Sequence, residues 1–136
     1  LPIYGNTINR VKGNTMDSRS EKSLQGVHPD LVKVVRRAYG QYAFRVVEGR
    51  RTLARQKELV AKGFSWTLKS RHLDGHAVDL VPVHNGKLRW DWPAFYPLAA
   101  AVKQAAKELG IPIEWGGDWK KNKDGPHFQL PWKEFP

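Results

Sequence analysis

Apolar residues recur at helical spacing in three segments of the chain. The first predicted helix begins at Pro29, ends at Gly40 and gathers four apolar residues on one face, namely Leu31, Val34, Val35 and Ala38. A second helix is predicted between Thr52 and Gly63, and the third covers residues 95–109. These three segments carry most of the apolar surface that a core requires.

Short apolar runs predict five strands, at residues 44–47, 77–81, 87–90, 111–115 and 127–130. An Asn85-Gly86 pair joins the second and third of these as a hairpin. Residues 1–27 show no sustained apolar period and predict an irregular lead-in. We therefore expect one domain over residues 1–136, of the α+β class, with helices packed on a small antiparallel sheet.

Composition narrows the possible chemistry. The 136 residues include no cysteine, so any metal site must use histidine and carboxylate ligands. No apolar stretch approaches the roughly 20 residues that cross a bilayer, so no transmembrane segment is expected. The net charge is +10, and residues 1–62 hold 13 basic and 5 acidic side chains, which predicts attraction to polyanions without choosing among them.

Two of the predicted strands are interrupted by polar residues that suit a metal site. Asp79 lies inside an apolar strand and follows His72 by seven positions, in the segment Ser-Arg-His-Leu-Asp-Gly-His-Ala-Val-Asp. Asp124-Gly-Pro-His127 leads into the last strand. Two histidines and one carboxylate suffice for a catalytic zinc ion, which keeps a fourth position open for water.

The spacing of these motifs resembles that of a known family. The pattern Ser-x-His-x-x-Gly-x-Ala-x-Asp at residues 70–79 is followed by Trp-Gly-Gly-Asp-Trp at 115–119 and Asp-Gly-Pro-His-Phe at 124–128. In order and spacing, the region from about residue 27 to residue 130 is similar to peptidoglycan L-alanyl-D-glutamate peptidases. These zinc peptidases belong to the D-alanyl-D-alanine carboxypeptidase superfamily, share a Hedgehog-like fold and include many bacteriophage endolysins.

The resemblance implies a role for each central residue. His72, Asp79 and His127 would bind Zn²⁺, and Asp124 would act as the general base. Arg51 would stabilise the oxyanion of the tetrahedral intermediate and contact substrate. The choice of Arg51 over the adjacent Arg50 rests on the resemblance.

Three further residues are candidates for substrate contact. Ser70 would bind substrate or orient the loop that carries His72. Trp115 would line a groove or belong to the core. Asp118 would contact substrate, orient a metal ligand or cap a loop. Gly75 is expected to permit the backbone turn between His72 and Asp79.

Other functions are compatible with parts of the sequence. A nucleic-acid-binding module would explain the charge but not the motifs. A zinc domain without catalysis would have no need of Asp124, and a D-alanyl-D-alanine carboxypeptidase or dipeptidase is a third alternative. The favoured partner is bacterial peptidoglycan, cleaved by a monomeric endolysin that is made in the host cytoplasm and acts at the cell wall.

Overall fold

The computed structural model describes residues 16–65, 67 and 69–136. In this part of the chain the helices are α1 (Ser18–Ser23), α2 (Pro29–Tyr39), α3 (Leu53–Ala61) and α4 (Trp92–Leu109). The strands are β1 (Phe44–Glu48), β2 (Ala77–His84), β3 (Lys87–Leu88), β4 (Glu114–Trp115) and β5 (His127–Gln129). Two 3-10 turns lie at Arg71–Asp74 and Gly116–Asp118.

The strands form one antiparallel sheet in the order β1, β2, β5, β4, and β3 pairs with the end of β2. Helices α2 and α4 pack on each other, α4 also packs on β2, and α1 packs on β1. Helices on a small antiparallel sheet confirm the predicted α+β class. Within the described residues, no helix is long and apolar enough to span a membrane.

One face of the sheet builds the core. Val46 pairs with Leu80 and Val78 pairs with Phe128, and all four side chains are buried. Directly paired residues of antiparallel strands project to the same face, so this row faces the helices. The opposite face of β1, β2 and β5 is left to carry other side chains, and the functional candidates lie there.

Local sequence explains where the elements start and stop. The ring of His28 caps α2, its Nδ1 accepting a hydrogen bond of 3.0 Å from the amide of Asp30. Asn85 and Gly86 have φ angles of 52° and 77°, the left-handed conformation that a two-residue hairpin turn requires. The predicted α2, α3, α4 and β2–β3 hairpin are confirmed to within a few residues at their ends.

The predicted irregular lead-in differs from the structure where it is described. Residues 1–15 lie outside the described part of the chain, and Ser18–Ser23 form helix α1. Asp17 caps this helix by accepting from the amide of Ser20, whose buried hydroxyl accepts from the amide of Val46 at 2.9 Å. A six-residue helix is too short to show a hydrophobic period, so the apolar pattern did not predict it. That residues 1–136 form one catalytic domain stays a prediction.

Candidate metal centre and active-site cleft

Strand register places two carboxylates and a histidine side by side. Asp79 lies in the middle of β2, with His127 of β5 directly across on one side and Glu48 of β1 across on the other. Glu48 reaches this position because β1 has a bulge between Val46 and Glu48. Paired residues share a face, so these three side chains project together from the side of the sheet opposite the core.

His72 arrives from the Arg71–Asp74 turn, which main-chain contacts hold in place. Ser70 caps the turn, its hydroxyl accepting from the amide of His72 at 3.1 Å, and Gly75 ends it with a φ of 78°. The Nδ1 atom of His72 lies 2.8 Å from the carbonyl oxygen of Gly49, and the amide of Arg51 donates to the carbonyl of His72 at 2.8 Å. Ser70 thus orients the loop, and Gly75 permits the turn.

The two histidines meet at one oxygen of Asp79. The Oδ1 atom lies 3.3 Å from Nε2 of His72 and 3.4 Å from Nδ1 of His127. The other ring nitrogen of His127, Nε2, lies 2.7 Å from Oε1 of Gln129. Because a carbonyl oxygen only accepts, the outer nitrogen of each ring carries a proton. The inner nitrogens, which face Asp79, are therefore the atoms available to bind a cation.

The cluster has the charge and donor atoms that a divalent cation needs. One potential ligand atom from each of His72, Asp79 and His127 lies within 4.8 Å of the others, and Oδ1 of Asp79 is buried without a hydrogen-bond partner. Burial acts to raise the pKa of Asp79, but the adjacent histidines hold it well below its ordinary value. Burial also acts to lower the pKa of His127, and Asp79 outweighs it and raises that pKa. These residues fit a metal ion.

Arg51 is buried beside the cluster in a network of side chains. Its Nη2 lies 3.7 Å from Oδ2 of Asp79, and its Nε lies 3.4 Å from Oε2 of Glu48. Its Nη1 donates to Oε1 of Gln56 at 2.7 Å, and Gln56 in turn donates to the hydroxyl of Ser65 at 2.8 Å. Gln56 is the buried side chain of α3. This helix therefore serves chiefly to hold the Arg51 guanidinium against the metal candidates.

Asp124 lines the same cleft, on the loop before β5. Its amide donates to the carbonyl of Gly116 at 3.0 Å, and a Cβ on Gly116 would lie 2.4 Å from the carbonyl oxygen of Asp124. Only glycine permits this approach. Burial, followed by the charge of Asp79, raises the pKa of Asp124, although nearby positive groups act in the opposite direction. A carboxyl with a raised pKa is suited to general base catalysis near neutral pH.

These residues border an open cleft with a volume of about 670 Å³. Its lining includes Ser70, Glu48, Glu114 and Gln129, and four aromatic residues, Phe64, Trp90, Trp119 and Trp132. The ring of Trp119 lies 5.1 Å from the ring of His127. The cleft joins the metal candidates to solvent and leaves room for an extended substrate.

Trp115 and Asp118, for which substrate contact was one of the predicted roles, make other contacts in the structure. Trp115 is only 5% exposed, and its indole nitrogen donates to the carbonyl of Gly125 at 2.7 Å. Asp118 is exposed and accepts a hydrogen bond of 2.6 Å from Lys103. Neither residue lines the cleft. The Gly116–Asp118 turn reverses the chain, so that Trp115 enters the core and Trp119 borders the cleft.

Sequence reasoning missed a second layer of polar residues behind the candidate ligands. Besides contacting His127, Gln129 donates from Nε2 to Oε1 of Glu114 at 3.0 Å, which fixes the orientation of its amide. Glu114 and Gln129 are directly paired across β4 and β5. One signal was present: Gln129 follows His127 by two positions in a strand, so both side chains share a face.

Comparisons with known proteins identify the family of this chain. The family described as phage L-alanyl-D-glutamate peptidase matches residues 13–129. The chain is 43% identical over 111 residues to the L-alanyl-D-glutamate peptidase of Escherichia phage T5, covering 77% of this chain and 81% of that protein. It is 30% identical over 107 residues to the peptidoglycan L-alanyl-D-glutamate endopeptidase CwlK of Bacillus subtilis, covering 62% and 59% of the two chains.

A solved structure has a similar fold. The crystal structure of Serratia marcescens L-Ala D-Glu endopeptidase ChiX matches with a TM-score of 0.83 and 52% identity, over 89% of this chain and 92% of that one. These relatives identify a hydrolytic enzyme of the peptidase class, with which the histidine–aspartate cluster and the cleft are consistent. The chain belongs to the phage L-alanyl-D-glutamate peptidase family. The family expected from the motif spacing is thus confirmed.

Proposed function

We propose that this protein is a zinc-dependent endopeptidase that hydrolyses the bond between L-alanine and D-glutamate in the stem peptides of bacterial peptidoglycan. The observation that carries the proposal is the convergence of His72, Asp79 and His127 beside Asp124 in an open cleft. The names of the related peptidases supply the substrate class.

His72 through Nε2, His127 through Nδ1 and Asp79 through its carboxylate would hold the zinc ion. Two imidazoles and one carboxylate form a typical catalytic zinc set, although other transition metals also accept them. When bound there, zinc supplies Lewis-acid chemistry that activates water near neutral pH and polarises the scissile carbonyl.

Two protein side chains would transfer the proton and stabilise the negative charge that develops on the substrate. The Asp124 carboxylate accepts a proton from the attacking water and then donates it to the nitrogen of the leaving D-glutamate. The Arg51 guanidinium donates to the oxygen that becomes negative as the carbonyl carbon turns tetrahedral. Gln56 and Glu48 hold that guanidinium in position through contacts of 2.7 and 3.4 Å, so little reorganisation is needed during the reaction.

The setting follows from the relatives. We propose that the protein acts as a monomer on the bacterial cell wall, as an endolysin that is made in the cytoplasm of a phage-infected cell and released at lysis. Two named relatives are phage or cell-wall peptidases, which favours this role over a nucleic-acid-binding module. The charge of +10 would then keep the enzyme near anionic envelope polymers, with an affinity that falls as salt rises.

The test is mass spectrometry of peptidoglycan fragments incubated with zinc-loaded protein, chelator-treated protein and the Asp124→Ala variant. We expect new amino termini at D-glutamate, lost with chelator and lost in Asp124→Ala while its zinc content is unchanged. Asp118→Ala is the matched control, because Asp118 is a nearby aspartate outside the cleft, and it should cleave normally. Release of terminal D-alanine instead would show the carboxypeptidase alternative, and no cleavage would leave a non-catalytic zinc domain.

A further inference from the structure

The cleft continues past the metal candidates in both directions, and its two ends differ in chemistry. Asp124, Pro126, Gln129 and Trp132 all line the cleft. Because strand β5 runs from His127 to Gln129, we assign the residues before His127 to one end and those after it to the other. Gln129 lies about 7 Å beyond His127, since a strand rises about 3.3 Å per residue. A substrate bound at the metal therefore has a distinct environment for each half.

Trp132 forms a rigid aromatic surface at the second end. Its side chain is 54% exposed, and the Cζ atom of Arg71 lies 4.0 Å from the ring centroid, covering one face. Arg71 is itself buried, and its guanidinium donates to the carbonyls of Leu130 at 2.8 Å and Phe135 at 2.6 Å. The tryptophan is thus held in place before any ligand arrives, which lowers the entropy lost on binding.

Charge assigns an orientation to the substrate. The loop that carries Asp124 also carries three exposed lysines, at positions 120, 121 and 123. At the other end, Glu114 adds a negative charge beside Gln129, and the guanidinium of the buried Arg71 behind Trp132 is directed to backbone carbonyls. The part of a stem peptide that begins with D-glutamate carries several free carboxylates, whereas the part before the scissile bond is neutral. The carboxylate-rich half therefore favours the lysine side, and the neutral half favours the Trp132 side.

The position of the base supports the same orientation. Asp124 must return its proton to the nitrogen of D-glutamate, so the leaving half lies on the Asp124 side of the metal candidates. The acyl half, which consists of L-alanine and the group on its amino nitrogen, then extends towards Gln129 and Trp132.

We propose that Trp132 forms a subsite for the N-acetylmuramyl sugar, whose lactyl group is joined to the amino group of L-alanine; this rests on the proposed function. L-Alanine and the lactyl unit together span about two residue lengths, roughly 7 Å when extended. The sugar ring would therefore begin at the distance of Gln129 from His127, and Trp132, three residues further along the chain, offers an exposed ring in the same cleft. The C–H face of a pyranose stacks on an indole, while Gln129 and Glu114 border the polar edge of the sugar.

The experiment compares two substrates that differ only in the sugar: N-acetylmuramyl-L-alanyl-D-glutamyl-diaminopimelate and the N-acetylated tripeptide without the sugar. For zinc-loaded wild type we expect kcat/KM to be roughly tenfold higher for the muramyl substrate, as a contact of about 1.4 kcal/mol would give. Trp132→Ala should bring the ratio close to one by slowing only the muramyl substrate. Trp132→Phe, which keeps an aromatic ring, should retain most of the preference.

Two other tryptophans serve as controls. Trp92→Ala removes a tryptophan that is 43% exposed outside the cleft and should leave both rates unchanged. Trp90→Ala removes a second cleft tryptophan, and because the proposal assigns the sugar to Trp132, the ratio should stay unchanged even if both rates fall. Thermal unfolding and zinc content establish that each variant is folded and loaded.

The outcomes separate this proposal from the proposed function. A ratio that survives in Trp132→Ala, or that is lost in Trp90→Ala instead, overturns the sugar subsite while cleavage of the acetylated tripeptide upholds the peptidase. Equal rates of wild type on both substrates also overturn the subsite. Failure of wild type to cleave either substrate rejects the peptidase itself.

Discussion

The two histidines of the metal centre are positioned in different ways. His72 lies on a 3-10 turn, and the contact to its outer nitrogen is the main-chain carbonyl of Gly49. His127 lies on a strand, and the contact to its outer nitrogen is the side chain of Gln129, which is oriented by Glu114. A substitution can therefore remove the support of His127 directly, whereas the support of His72 depends on the fold of the 49–51 segment.

Main-chain and side-chain support of a metal ligand respond differently to substitution. Main-chain support survives most substitutions and fixes a ligand wherever the backbone folds correctly. Side-chain support can be exchanged for a residue of different charge, so it sets the basicity of the ligand as well as its direction. We therefore expect substitutions behind His127 to change metal affinity and substitutions around His72 to change it little.

Loss of the shared partner should have the largest effect, because it removes the contact that both histidines make. In Asp79→Ala we expect metal binding to fail and kcat/KM to fall by 10³-fold or more, on the order of the several kcal/mol that Lewis-acid catalysis supplies. Metal content after dialysis and cleavage rates check this. Retention of one equivalent of metal with normal turnover would remove Asp79 from the ligand set.

Asp124→Asn should separate catalysis from metal binding. We expect both histidines to hold the metal as before, while kcat falls by roughly 10²- to 10⁴-fold, the usual contribution of a general base. The acidic limb of wild-type kcat/KM should lie above the ordinary carboxyl range, because burial and the charge of Asp79 raise the pKa of Asp124. Unchanged kcat in a metal-loaded Asp124→Asn protein would assign the base elsewhere.

Gln129→Ala tests the side-chain support of His127. We expect metal affinity to fall by about 10- to 100-fold, as is typical when a group behind a metal ligand is lost. Competition with a chromophoric chelator measures this directly. Gln129→Glu keeps an acceptor for the His127 ring and should recover most of the affinity; equal weakening in both variants would mean that the effect is only structural.

Ser70→Ala is the corresponding test at His72, and its effect should be smaller. The hydroxyl caps the turn rather than touching the ring, so we expect destabilisation of about 1 kcal/mol, as for other lost caps, with little change in metal affinity. Urea unfolding and the same chelator competition give the two values. A loss of metal affinity as large as that in Gln129→Ala would contradict the proposed difference between the two histidines.

The smallest effect should appear in the metal-free protein as a function of pH. Asp79 outweighs burial and raises the pKa of His127, so protonated His127 stabilises the folded state below its ordinary pKa of 6.5. This contribution is lost as the pH rises through the higher folded pKa. We expect the difference in unfolding free energy between wild type and His127→Gln to shrink from pH 6 upwards, as measured by urea titration. A growing difference would contradict the sign of the shift.

The residues nearest the chemistry were predictable because their spacing in the chain is distinctive. His72, Asp79, His127 and Asp124 converge as the motif implied, and Arg51 rather than Arg50 lies beside Asp79. Helix and strand periods also predicted the elements that carry them. The resemblance to a known family assigned these residues, and the local periods only placed them in or next to well-marked elements.

The supporting residues were not predictable because they depend on register and turn geometry. Glu114 meets Gln129 only through the pairing of two short strands that are separated by eleven residues in sequence. Trp115 and Trp119 look equivalent in sequence, yet the turn between them buries one and leaves the other at the cleft. Gln56 is a polar residue at a buried helical position, which a hydrophobic period cannot reveal.

The bulge in β1 indicates where a related chain can be one residue shorter. Val47 is the extra residue between the pairs Val46–Leu80 and Glu48–Asp79, so a chain without it can form an unbroken ladder with both pairs intact. Glu48 would still face the cleft after such a deletion, whereas losing a residue elsewhere in β1 would turn part of the strand over. A one-residue gap in an alignment belongs at position 47, where the fold can absorb it without moving the candidate catalytic residues.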